Sequence, residues 1–147
     1  MAELLQDVDL ERFETSDSSS TTTPPAFVTV GESVLLKSGW AEAKDISPSK
    51  FPDRTGFECF VNHVHLPLVG EAQLVSTLHY VFQLRRALRG FGTGRNFRVI
   101  FSASDGDSAV RFHELRPSES WLADDLESYL EEAILTVVAF DDRKSTT

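Results

Sequence analysis

Four groups of residues in this chain have the types and spacing to do chemistry. The first is His63-Val64-His65. In a strand, alternation places both imidazoles on one face, about 6.6 Å apart. Two such nitrogens can share one metal ion, but a stable site needs further ligands. Cys59 would share that face, yet it lies about 13 Å from His63 at strand rise, too far to join the same site. His113, on another strand, is the remaining candidate. The three histidines together define one alternative activity, a metal-assisted hydrolase. The simpler reading is a set of partly exposed polar side chains on a sheet.

The second is Cys59 itself. A nucleophilic thiol needs a base within reach and an electropositive setting. Cys59 sits beside Phe60 and Val61, and a free cysteine among apolar neighbours behaves as a small hydrophobe. The third is Gly90-Phe91-Gly92-Thr93-Gly94-Arg95, which looks like a phosphate loop. Such loops follow a strand and open a helix, so that the helix N-terminus faces the phosphate. This one follows a helical pattern and opens a strand, so it reads as a connection.

The fourth is a separation of charge. Arg85, Arg86, Arg89, Arg95 and Arg98 fall close together, while Glu119, Asp124, Asp125, Glu127, Glu131 and Glu132 fall in a segment with no basic residue. Part of this charge can pair internally on a solvated surface. Asp124, Glu127 and Glu131 lie at i, i+3 and i+7, one outward helical face suited to a basic partner. Trp121 and Tyr129 flank these acids as aromatic anchors, so the expected partner-binding set is Trp121, Asp124, Asp125, Glu127, Tyr129 and Glu131.

The elements that must position these groups follow from periodicity. Residues 3–13 have the pattern of a short amphipathic helix, with Leu4, Leu5 and Val8 near one face. Ser16–Pro25 is a Ser/Thr/Pro linker, so residues 1–25 read as a flexible arm. Phe27–Val30 and Val34–Lys37 flank Gly31-Glu32-Ser33 as an N-terminal β-hairpin. Residues 44–56, with Pro48, Pro52 and Gly56, read as a long loop. Phe57–Leu66 reads as a strand ended by Pro67. Glu71–Arg89 is a helix, with Leu74, Val75, Leu78, Val81, Phe82 and Leu88 at three- and four-residue spacing and Gly90 after its end. Phe97–Ser102 and Ala109–Leu115 are strands about the Asp105-Gly106 turn. Ser118 or Ser120 can cap a helix over Trp121–Glu132, whose Leu122, Leu126, Leu130 and Ala133 form an apolar stripe. Ile134–Phe140 is the last strand, and residues 141–147 form a disordered tail.

The resulting expectation is one α+β domain over residues 26–140. From residue 57 its β-α-β-β-α-β order is that of a ferredoxin-like antiparallel sheet with two helices. A formal net charge of −9 disfavours nucleic acid and anionic membrane surfaces as partners. The order also serves RNA-binding domains, but Ala109–Glu114 lacks their interleaved glycine and aromatic residues. A single cysteine permits no intramolecular disulfide. The acidic N-terminal residues make no signal peptide, and no apolar run reaches the roughly 20 residues a membrane span requires. The chain reads as cytoplasmic.

No nucleophile–base pair, complete metal set or cofactor motif is present, so the reading leans away from an enzyme and includes no cofactor. It expects a small acidic binding protein with a basic protein partner. An immunity or antitoxin protein that neutralises a toxin or nuclease fits this description, as does a regulatory adaptor.

Overall fold

The computed structural model describes residues 25–67, 70–91, 94–104, 106–117, 119 and 133–139. Two strands, β1 (Phe27–Val30) and β2 (Ser33–Leu36), form the expected hairpin. Gly31 opens its two-residue turn at φ +59°, a conformation that costs glycine little. The second strand stops at Leu36, because Lys37 begins a helix, α1 (Lys37–Ala43), that the sequence did not announce.

The region expected to be a long loop and then a single strand is reorganised. Pro48–Lys50 forms a turn of 3-10 helix. Arg54–Val61 is a helix, α2, and only His63–Pro67 is strand, β3. Asp53 explains the switch, since its side chain accepts the Gly56 N–H at 2.7 Å as an N-cap. Phe57 and Val61, four residues apart, then face the same apolar cluster. Phe60, on another side of the turn, is 43% exposed.

Helix α3 (Glu71–Arg89) has the expected limits, with Gly90 at its C-cap. Strands β4 (Phe97–Ser104) and β5 (Asp107–Glu114) are longer than the pattern indicated, and β6 spans Ala133–Ala139. The stretch 120–132, which contains the expected second helix, lies outside the described residues, as do residues 1–24 and 140–147.

The α+β class therefore holds, with a two-stranded sheet and a four-stranded antiparallel sheet of order β3-β5-β4-β6. The sheet departs from the ferredoxin-like arrangement in the placement of its last strand. That arrangement sets the last strand against the first, whereas β6 pairs with β4, from Phe97↔Ala139 to Ala103↔Ala133. One split βαβ unit is present: β3 and β4 run parallel, joined through α3, with β5 between them.

Two apolar clusters hold the elements together. Helix α3 contributes Leu74, Leu78, Val81, Phe82, Leu84 and Leu88 to the larger one, against Phe97, Val99 and Phe101 of β4 and Val110 and Phe112 of β5. The smaller gathers Leu35, Ala43, Phe57 and Val61. All four residues of β2 are buried. Alternation sends Val34 and Leu36 to the larger cluster and Leu35 to the smaller, so this strand joins the two.

Candidate functional site

Strand β3 covers the edge of β5 only as far as the His63↔Arg111 pair. Beyond that point α2 takes its place. Asn62 donates through Nδ2 to the Phe112 carbonyl at 3.3 Å, and Glu58 Oε1 accepts the Glu114 N–H at 2.9 Å. The fit is geometric. Positions four apart on a helix are separated by about 6 Å, and alternate strand residues by about 6.6 Å. Two side chains thus satisfy two edge groups of the strand.

Both side chains are fully buried and carry further bonds. Asn62 Oδ1 accepts the Leu36 N–H at 2.8 Å, and Nδ2 also donates to the Val34 carbonyl at 3.0 Å, so one amide bridges the two sheets. Glu58 receives the guanidinium fork of Arg116, Nη1 on Oε1 at 3.1 Å and Nη2 on Oε2. A buried carboxylate is tolerable here because its charge is paired and both oxygens are bonded.

A second ion pair lies beside it. Arg95 Nε is 2.9 Å from Glu114 Oε2, and its Nη2 also donates to the Glu32 carbonyl at 2.7 Å, tying the hairpin turn to β5. Glu119 accepts the Thr55 N–H at 3.1 Å, adding a second carboxylate to the N-terminus of α2. Desolvation raises the Glu119 pKa, but the Thr55 hydrogen bonds and the Arg116 charge outweigh it and hold this carboxyl below its usual range.

The histidines separate into two environments. His63 and His65 stand on β3 with ring centroids 4.7 Å apart. His113 is 1% exposed, with Nδ1 2.9 Å from the Glu114 carbonyl and Nε2 without a hydrogen-bond partner among the described residues. Burial pushes its pKa below the usual value, against the opposing pull of the Glu114 carbonyl and the Glu58 charge. Among the described residues no group of three His, Cys, Asp or Glu side chains could hold a metal ion. The set His63, His65 and His113 is thus not assembled as a three-ligand site.

Cys59 is on helix α2, not on the strand expected to carry it, and is fully buried. Desolvation pushes its thiol up to about 12, with Arg111 partly offsetting the rise. It is a packing residue with no thiolate to offer. The glycine-rich segment from Gly90 joins the C-terminus of α3 to β4, and its Arg95 is engaged with Glu114. Trp121, Asp124, Asp125, Glu127, Tyr129 and Glu131 lie outside the described residues.

Glu58 and Asn62 were missed in the sequence. Their signal was present as two polar residues four apart in Phe57-Glu58-Cys59-Phe60-Val61-Asn62, but reading the segment as a strand concealed the spacing. No curated protein and no solved structure matches the chain. A family model described as "Uncharacterized protein PM0498 family" matches residues 1–146. The match spans nearly the whole sequence, so the chain belongs to the PM0498 family.

Proposed function

We propose that this is a binding protein of a reducing, cytoplasmic setting that docks a basic protein partner through an acidic face and neutralises a toxin or nuclease. The observation that carries the reading is where the positive charge goes. Arg95 and Arg116 are each engaged by one carboxylate, Glu114 and Glu58. Each pair is neutral, so the formal charge of −9 resides in the remaining side chains. The run Asp124, Asp125, Glu127, Glu131 is the densest acidic stretch free of bases, with Trp121 and Tyr129 to supply apolar anchoring. Enzymes that cleave nucleic acid need basic clefts, and a complementary acidic surface steers association and blocks substrate entry.

The experiment is affinity capture of the partner from the native organism, followed by association kinetics with the purified pair. The association rate should fall steeply between low and high salt. Changing Asp124, Glu127 and Glu131 together to Lys should slow association at least tenfold. A triple variant that binds at the original rate would show that the acidic face is only solvated surface. Loss of the captured enzyme's activity on binding separates a neutraliser from a regulatory adaptor.

A further inference from the structure

We propose that His63 and His65 form a two-histidine site for a divalent transition-metal ion, of the zinc, nickel and copper class, on the edge of the four-stranded sheet. It does not depend on the docking reading.

The first ground is ring spacing. A zinc–imidazole bond is about 2.0–2.1 Å. The ring centre lies about 1.15 Å behind the ligating nitrogen, so each centroid sits about 3.2 Å from the metal. Two imidazoles on one ion then have centroids about 5.2 Å apart at a tetrahedral angle and about 4.5 Å apart at a right angle. The observed centroid separation is 4.7 Å, with the rings at 89° to each other. The observed separation falls between these two values, the spacing that two imidazoles on one ion would have.

The second ground is proton placement. His63 Nδ1 is 2.9 Å from the Phe60 carbonyl oxygen. A carbonyl can only accept, so in the neutral ring this nitrogen carries the proton and Nε2 keeps its lone pair. His65 Nδ1 faces the Asp107 carboxylate, with Oδ2 at 3.6 Å, which favours the same tautomer. Metal-ligating histidines characteristically give their other ring N–H to a carbonyl or carboxylate in this way. Here His63 has such an acceptor within hydrogen-bond distance, and His65 has a carboxylate just beyond it at 3.6 Å.

The third ground is access. Among the described residues β3 is an edge strand, paired with β5 alone. The His65 side chain is 61% exposed and that of Asp107 66%. Because no third protein ligand joins the pair among the described residues, solvent fills the remaining positions. The site is then open and exchangeable, unlike a closed four-ligand structural centre.

The test titrates the purified, untagged full-length chain with zinc chloride and with nickel chloride in chelator-free buffer, followed by calorimetry and by retention on nickel-charged resin. One ion per chain should bind with Kd below about 1 mM. Acidification should weaken it, since protons compete for the imidazoles. His63→Gln and His65→Gln should each weaken binding at least tenfold. Thermal unfolding of the metal-free variants, matched to the parent, confirms that they fold. No binding up to about 1 mM metal, or binding undiminished in both variants, would overturn the proposal. Binding of basic partners should be unaffected by either variant, so failure here and failure of the docking reading are distinguishable.

Discussion

Glu58 is a fully buried carboxylate whose oxygens are taken up by Arg116 and the Glu114 amide. Removing one member of a buried pair leaves an uncompensated charge, at a cost of about 3–5 kcal/mol. Arg116→Met should therefore destabilise more than the double change Glu58→Leu with Arg116→Met, as read by urea denaturation. His113 makes a separate contribution. Burial holds its folded pKa below the ordinary histidine value of about 6.5, so the unfolded chain takes up a proton that the folded chain resists. The stability this contributes is fully present above about pH 6.5 and is lost as pH falls toward the folded pKa, by at most about 1.4 kcal/mol per pH unit. Urea midpoints of the parent should decline more steeply between pH 7 and pH 5 than those of His113→Asn, which keeps a donor for the Glu114 carbonyl. Parallel declines would refute the assignment.

Helices α1 and α2 approach so closely that a Cβ on Gly39 would lie 2.1 Å from the Val61 carbonyl oxygen. That atom is backbone and cannot swing aside. Gly39→Ala should consequently destabilise, although alanine is the better helix former by about 1 kcal/mol. A thermal midpoint equal to or above the parent's would contradict this contact. These two helices also mark the limit of what the sequence discloses. The limits of α3 were legible because six apolar residues repeat at helical spacing and a glycine follows. Helix α2 was not, because Phe57-Glu58-Cys59-Phe60-Val61 is a short, mostly apolar run that periodicity alone does not assign to helix or strand. Its decisive residue, Asp53, reads equally well as part of a turn. Helix α1 is seven residues long, includes Gly39 and has no side-chain cap, so it gave no local signal. The limits of the other strands were readable to within about two residues, but the start of β3 was not, because α2 takes the residues before it, and sheet order depends on pairings distant in sequence, which no local pattern encodes. The buried charge pair was equally invisible, since Arg116 and Glu58 lie far apart in the chain.

Across the whole molecule, β2 belongs to both apolar clusters, so neither can come apart while the strand stays in place. Unfolding should then be a single transition. In a Trp121→Phe background, fluorescence of Trp40 in the smaller cluster should report the same midpoint as far-ultraviolet circular dichroism. Leu35→Ala should lower both together, by about 2–5 kcal/mol, and split midpoints would show that the clusters melt independently. The replacement of a strand by α2 along the last three residues of β5 bears on a different hazard. An uncovered strand edge is a template for other chains, and proteins prone to fibrils commonly fail at such edges. Glu58 and Asn62 occupy the Glu114 N–H and the Phe112 carbonyl that a foreign strand would need. One side chain of a short helix and that of its C-cap residue therefore act as stoppers against aggregation, and their loss should show as light scattering at temperatures where the chain is still folded.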